Sequence, residues 1–377
     1  MQDNRQKHIL VNFTGRTKAG PVFAYEMTKG LVENGAVVYA VVSAQADNIA
    51  DWRKLPLAKL IEITTYENRK EFLLRSIWFL FSRKKIGKEL ERLPIDAIYC
   101  PMVTLWTRWI NRLFPHVPLY FTLHDPKPHY GESCLNRALI RYNTEAEAIR
   151  AEKIIVLSEV FVDEVRQRYH RSDKSILVVP HGVFDYQSRK SSHIEPFFAT
   201  SSVRTTFLFF GRIEPYKGLD LLIEAYRAIE TNVANTQLII AGEGDISPYR
   251  KQLGILDSVF VLNRKIEDTE VSLLFCGENI ITVLPYKEAT QSGVVNIAAS
   301  HRSLVIATES GGLPEQLGYG EKGLLIPPNN VAALHQAMLD VIKHRDEYER
   351  KIECAYNDSI NFTWKALAGK ILEEIQG

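Results

Sequence analysis

The sequence predicts an α/β protein built from two successive Rossmann-like domains, and three observations predict it. Its 377 residues fit two domains of about 100–200 residues each. Short apolar runs, each stopped by glycine, proline or a polar residue, alternate with stretches of helical spacing. That alternation breaks once, across the polar, serine-containing stretch 185–204, which reads as a linker.

Composition narrows the class. Hydrophobic residues make up 46% and charged residues 24%, as in soluble globular proteins. The formal net charge is +1, so nothing global argues for a nucleic-acid binder, and any basic patch is local. Cys100, Cys134, Cys276 and Cys354 lie far apart with no C-x-x-C pair. That argues against a zinc site or a disulfide framework and for a reducing compartment. The polar start runs straight into a strand without an apolar h-region, so no secretory signal is expected. No apolar stretch approaches the roughly 20 residues that span a bilayer. The expected location is cytoplasmic.

In chain order, 9–13 reads as the first strand, 14–21 as a glycine loop, 24–34 as a helix stopped by Gly35, and 37–42 as the second strand. Gly15 and Gly20 have the spacing of a phosphate loop, but Pro21-Val22 stands where Lys-Ser/Thr is required. A Walker A site is excluded. A loop whose backbone approaches a ligand closely and a plain tight turn both remain open. The segment 68–93 mixes aromatics and aliphatics with cations. Residues 69–92 carry eight cations against three anions. Such a helix either lies in a membrane interface or buries its apolar side on the sheet. Trp106, Arg108, Trp109 and Arg112 form a second aromatic–basic cluster. The runs 97–100 and 119–123 read as buried strands, the second ending in His124-Asp125. Ligands of open α/β sheets sit beyond strand carboxyl ends, which makes that pair a candidate. The half closes with a helix at 133–152, a strand at 153–157, Ser158 as a helix cap, and a strand at 176–179 followed by Pro180-His181-Gly182-Val183.

The second half opens on the stretch around which the chain is organised. The apolar run 207–210 stops at Gly211; Arg212 and Lys217 follow, with Pro215 between them and Gly218 behind; then 219–229 takes up helical spacing. Loop cations and a helix N-terminus make an anion site. Further strands at 237–241, 259–262, 280–284 and 304–308 end in Gly242-Glu243-Gly244, in the loop before Asp268, in 285–291, and in 309–315. A helix is expected from near Ser292 to Ser300, and another at 330–343. Convergence of glycines and charges at several strand ends points to a ligand. Gly242-Glu243-Gly244 lacks the third glycine of a dinucleotide fingerprint, which disfavours hydride transfer.

With these motifs in order, the chain resembles the retaining family 4 (group 1) GT-B glycosyltransferases. The resemblance is carried by His124-Asp125, Ser158, Pro-His-Gly-Val at 180–183, Phe-Gly-Arg with Lys217-Gly218, Ala-Gly-Glu-Gly at 241–244, Gln-Ser-Gly-Val at 291–294, and Gly-Gly-Leu-Pro-Glu at 311–315. It implies two Rossmann-like domains facing across a cleft. Residues 1–185 would bind the acceptor and 205–358 the nucleoside-diphosphate sugar, with 186–204 as linker and 359–377 crossing back to the N-terminal domain. Arg212 and Lys217 would grip the diphosphate and stabilise charge on the leaving group, without a metal or other cofactor. His124 would face the donor sugar. Gly211, Gly242, Glu243, Lys265, Ile266, Thr290, Gln291, Ser292, Gly293 and Val294 would form the donor site, with loop 291–295 offering backbone N–H groups to the phosphates. Gly15, Gly20 and Asp125 would lie on the acceptor side.

The resemblance has one departure. The family's two glutamates, eight positions apart, align with Thr290 and Ala298; a shift of two offers Glu288 and Asn296. Glu288 is the candidate for the sugar contact, and the ribose contact is open. The implied activity is retaining transfer of a hexose to a saccharide or lipid-linked saccharide, as in surface polysaccharide assembly. The basic helix would suit the inner face of a membrane. The competing readings are a non-catalytic nucleotide-sugar-binding subunit, a nucleotide-sugar epimerase and a phosphorylase. For the last, no pyridoxal lysine is apparent.

Overall fold

The computed structural model describes residues 5–17, 19–66, 69–124, 134–184, 205–275, 277 and 279–377. Asp125 and the linker 186–204 lie outside the described residues. The chain forms two compact units, one of which holds the first seven strands and Thr363–Gly377, and the other the described part of His181–Phe362.

The first unit is a seven-stranded parallel sheet: β1 (His8–Phe13), β2 (Val37–Ser43), β3 (Lys59–Ile63), β4 (Ala97–Cys100), β5 (Leu119–Leu123), β6 (Lys153–Val156) and β7 (Ile176–Val178), in the order β3-β2-β1-β4-β5-β6-β7. Parallel strands buried on both faces need continuous apolar runs. The centre meets that requirement, since Ile9, Leu10, Val11, Ile98 and Tyr99 are fully buried. β3 escaped the sequence reading because an edge strand is only half covered, and Lys59-Leu60-Ile61-Glu62-Ile63 has no continuous apolar run.

The first helix spans Ala19–Glu33 rather than starting at Ala24. Gly20 and Pro21 therefore belong to its first turn. Proline fits there because the first-turn N–H groups have no intrahelical partner. The last helix, Trp364–Gln376, is capped by Thr363, whose hydroxyl accepts the Ala366 N–H at 3.2 Å. It packs on Ala19–Glu33. Trp364 stands edge-on to Phe23 at 5.4 Å, and Asn34 Nδ2 donates to the Lys365 carbonyl at 2.7 Å.

The second unit is a six-stranded parallel sheet: β8 (Thr205–Phe210), β9 (Thr236–Ala241), β10 (Val259–Leu262), β11 (Ile280–Leu284), β12 (Leu304–Thr308) and β13 (Leu324–Ile326), in the order β10-β9-β8-β11-β12-β13. Side chains alternate across a strand. Phe207 and Phe209 pack with Leu222 and Tyr226 of the helix Leu219–Asn232 and with Met338 of the helix Val331–Lys343. Leu208 points the other way, to Phe275 and to Val295 and Ala298 of the helix Gly293–Ser300. Each such buried side chain contributes roughly 1.5–3 kcal/mol of transfer free energy. Strand order reverses between β8 and β11, and in the first sheet between β1 and β4. In a doubly wound sheet those reversals open the crevices where ligands bind.

Candidate active site

The candidate site is built at the carboxyl ends of β8 and β11. After Phe210 the chain turns through Gly211, and a short 3₁₀ turn, Pro215–Lys217, brings Lys217 back over it. A Cβ on Gly211 would lie 2.8 Å from Lys217 Nζ, so the ammonium occupies the space that a side chain would take. Nζ also lies 5.2 Å from the centre of the Tyr286 ring, which offers its negative face to the cation. Burial pushes the Lys217 pKa down to about 8, and neighbouring Arg212 adds to the shift. An ammonium held this way is short of solvation, which Tyr216 and Glu214 offset only in part, and an incoming anion adds the counter-charge. Arg212 stays half-exposed, its Nη1 donating to Glu214 Oε1 at 3.2 Å.

Two contacts staple the β8 and β11 loops together. Lys287 N–H donates to the Tyr216 carbonyl at 2.7 Å, and Lys287 Nζ pairs with Asp220 Oδ2 at 2.6 Å. Tyr286 is buried, with its hydroxyl 3.4 Å from Ser292 Oγ. Burial raises its pKa to about 12, so the phenol stays protonated in the neutral range.

Ser292 caps the helix Gly293–Ser300, its Oγ accepting the Val294 N–H at 3.3 Å. Gln316 holds Ser292 from the other side. Its Oε1 accepts the Ser292 N–H at 2.9 Å, and its Nε2 donates to the Ser292 carbonyl at 3.1 Å. The Val295 N–H returns to the Ser292 carbonyl at 3.2 Å. The expectation that the whole loop 291–295 offers N–H groups to phosphate is therefore narrowed. The N–H groups of Ser292, Val294 and Val295 serve the cap, which makes that of Gly293 the candidate donor at the positive end of the helix. Thr290 is buried, and its carbonyl accepts the Gly312 N–H at 3.0 Å. Gln291 is half-buried and Glu288 is exposed. Ala298 is fully buried in the apolar core. Asn296 Nδ2 donates to the His181 carbonyl at 2.6 Å. Neither candidate for the second glutamate position presents a carboxylate.

Gly242, Glu243, Lys265 and Ile266 sit at the ends of β9 and β10. Asn263 Oδ1 accepts the Gly244 N–H at 3.1 Å and ties those two ends together. The loop carrying Lys265 and Ile266 is braced by a bidentate pair between Arg264 and buried Glu270, at 2.7 and 2.8 Å.

In the first unit, Gly15, Gly20 and His124 lie near the carboxyl ends of β1 and β5. His124 Nε2 is 2.8 Å from the Pro101 carbonyl. A carbonyl only accepts, so Nε2 carries the proton and, in the neutral ring, Nδ1 is the acceptor nitrogen. Phe23 fixes the ring edge-on at 4.5 Å. Thr14 and Thr104 hydroxyls meet at 2.5 Å and hold the glycine loop. Sequence reasoning missed Tyr286, Lys287 with Asp220, and Gln316. Tyr286 had a signal, since it stands just past the end of β11 at the reversal of strand order. Gln316 had none, because its partner lies 24 residues away.

Two family models match the chain. "Glycosyltransferase Family 4" matches residues 21–184, and "Glycosyl transferases group 1" matches residues 195–358. A phosphatidyl-myo-inositol mannosyltransferase of Mycobacterium leprae is 26% identical over 44% of this chain and 45% of its own length, so that match spans less than half of the relative. An uncharacterized glycosyltransferase of Methanocaldococcus jannaschii is 26% identical over 80% of this chain and 82% of its own. Among solved structures, Anabaena HepE in complex with UDP and glucose superposes with a TM-score of 0.73 at 16% identity, covering 98% of this chain and 99% of that one. At that identity the likeness shows the fold.

Proposed function

The chain belongs to the GT-B glycosyltransferases of the group 1, family 4 type, and from that premise we propose that it is a retaining, metal-independent hexosyltransferase. Its donor is a nucleoside-diphosphate sugar, and its acceptor a saccharide or lipid-linked saccharide of surface polysaccharide assembly at the cytoplasmic side of a membrane. The observation that carries the reading is Lys217. An ammonium whose pKa burial lowers to about 8, beside Arg212 at the reversal of strand order, is built to receive an anion. When the bond from the anomeric carbon to phosphate oxygen breaks, its electron pair stays on the diphosphate. Lys217, Arg212 and the N-terminus at Gly293 are assigned to that charge, which preorganised cations stabilise more than water does. Lys265 and Ile266, with Gly242 and Glu243, are assigned to the nucleoside, and Glu288 and His124 to the transferred sugar. The acceptor hydroxyl attacks from the face that the leaving phosphate vacates, and that phosphate takes its proton.

Buried Ala298 and the engaged amide of Asn296 motivate one second reading, a binding subunit without turnover. Incubation with a panel of nucleotide sugars and simple sugar acceptors, read by proton NMR of the anomeric signal, separates the two. The expected product keeps the donor's anomeric configuration. An inverted product sinks the retaining mechanism, and donor binding with neither transfer nor hydrolysis favours the subunit.

A further inference from the structure

The helix Arg69–Leu90 carries apolar residues on two sides, and the body of the protein uses only one of them. On the inner side Phe79 is fully buried and stacks on Trp106 at 4.7 Å and on Trp109 at 5.9 Å. Trp106 Nε1 donates to Ser76 Oγ at 3.1 Å, and Phe72 meets Tyr66 edge-on at 4.9 Å. The cluster at Trp106 and Trp109 therefore supports the helix from below and does not face outward with it. On the outer side Leu73, Leu74, Ile77, Trp78 and Phe81 are 65%, 69%, 57%, 56% and 78% exposed. At about 100° per residue these five fall within about 140° of the helix circumference, opposite Ser76 and Phe79. A contiguous exposed stripe of five large apolar side chains is unlike the scattered single residues of an ordinary surface.

Burial against the sheet accounts for the inner face alone. The stripe's surroundings identify its occupant. Lys70 and Lys88 are exposed and share its angular position, one beyond each end. Residues 69–92 carry eight cations against three anions in a chain whose net charge is +1. On the helix Cys134–Arg150, exposed Tyr142 lies under the Arg108 guanidinium at 4.6 Å, a second aromatic–basic pair of the same unit. A second copy of this chain would bring an equal positive surplus against this one. An anionic bilayer meets both requirements, because the acyl boundary receives the apolar stripe and the headgroups receive the lysines. Tryptophan at such a boundary is at its preferred depth. Among the described residues no helix is long and apolar enough to cross a membrane, so this helix would lie in the surface.

We propose that Leu73, Leu74, Ile77, Trp78 and Phe81 form a docking face that inserts into the headgroup–acyl boundary of an anionic membrane. The proposal deepens the lipid-linked acceptor reading, and its test is independent of turnover. The full chain is floated with vesicles of phosphatidylcholine containing 30% phosphatidylglycerol (roughly the anionic content that gives a strong surface potential) and with pure phosphatidylcholine. Wild type is compared with Leu74→Ser/Phe81→Ser and with Lys70→Glu/Lys88→Glu, and UDP, GDP and ADP binding is measured in the same samples without vesicles. Wild type is expected to bind the anionic vesicles at least tenfold more tightly than the neutral ones. Both variants are expected to lose that binding at least tenfold while keeping wild-type nucleotide binding and melting temperature. Undiminished vesicle binding by Leu74→Ser/Phe81→Ser overturns the proposal. So does a wild type that ignores anionic vesicles at low salt, or a concentration-dependent dimer that the apolar variant abolishes. A protein that docks on vesicles but binds no nucleotide leaves the membrane face standing and removes the transferase reading.

Discussion

Lys217→Ala is expected to lower kcat/KM for sugar transfer by about 10²–10³-fold, which is the usual effect of removing one preorganised group from developing negative charge. The loss is expected mainly in kcat, because the diphosphate carries more charge as it leaves than in the intact donor. Stability is expected to stay level or rise. The folded-state pKa of about 8 lies below that of an ordinary lysine. Folding therefore disfavours the charged form, and below about pH 8 the ammonium opposes stability rather than supporting it. Alanine removes that cost along with the charge. An enzyme at full activity, or one that simply melts earlier, contradicts the assignment. The first result removes Lys217 from the site, and the second makes it a structural residue.

Gly218→Val is expected to destabilise the second unit by about 2–4 kcal/mol, lowering the melting temperature by roughly 5–15 °C. Two physical terms combine there. Gly218 has φ 68° and ψ 30°, a left-handed conformation that a β-branched residue adopts only with strain. A Cβ would also land on the Pro285 carbonyl oxygen, at the start of the loop that carries Tyr286 and Lys287. Gly218→Asn separates the terms, since asparagine tolerates the left-handed backbone but keeps the Cβ. Little recovery is expected in the asparagine variant, because the collision with Pro285 remains. A native melting curve for the valine variant would show that neither term operates.

What could be read in the sequence, and what could not, follows from the range of the interactions. The run 207–210 with Gly211 behind it was legible because a buried parallel strand must be continuously apolar and must stop where it meets a ligand crevice. Arg212 and Lys217 were legible as cations at that stop. The depressed pKa of Lys217 was not, since it comes from burial beneath a loop folded over Gly211. Gln316 was invisible for a related reason. Nothing near position 316 shows that a glutamine will grasp Ser292 with both ends of its amide. The start of the first helix lies earlier than the sequence suggests, because Pro21 looks like a loop residue until one notes that the N–H it lacks is one a helix's first turn leaves unpaired anyway. For residues 69–92, sequence showed both apolar and basic character. Only packing against Trp106 and Trp109 shows which apolar side is consumed and which is left over.

The measurement closest to the central claim is calorimetric titration of UDP, GDP and ADP into wild type and Lys217→Ala, each at pH 7.5 and pH 9. Bringing a diphosphate against Lys217 restores its proton affinity, so the complex holds more protons than the free protein above pH 8. The affinity of wild type for its cognate nucleotide is then expected to fall about tenfold between the two pH values. The variant is expected to bind more weakly at pH 7.5 and to change little with pH. Equal affinity and equal pH dependence in the two proteins would mean that the diphosphate does not sit on Lys217, and the account of this site would fail with it.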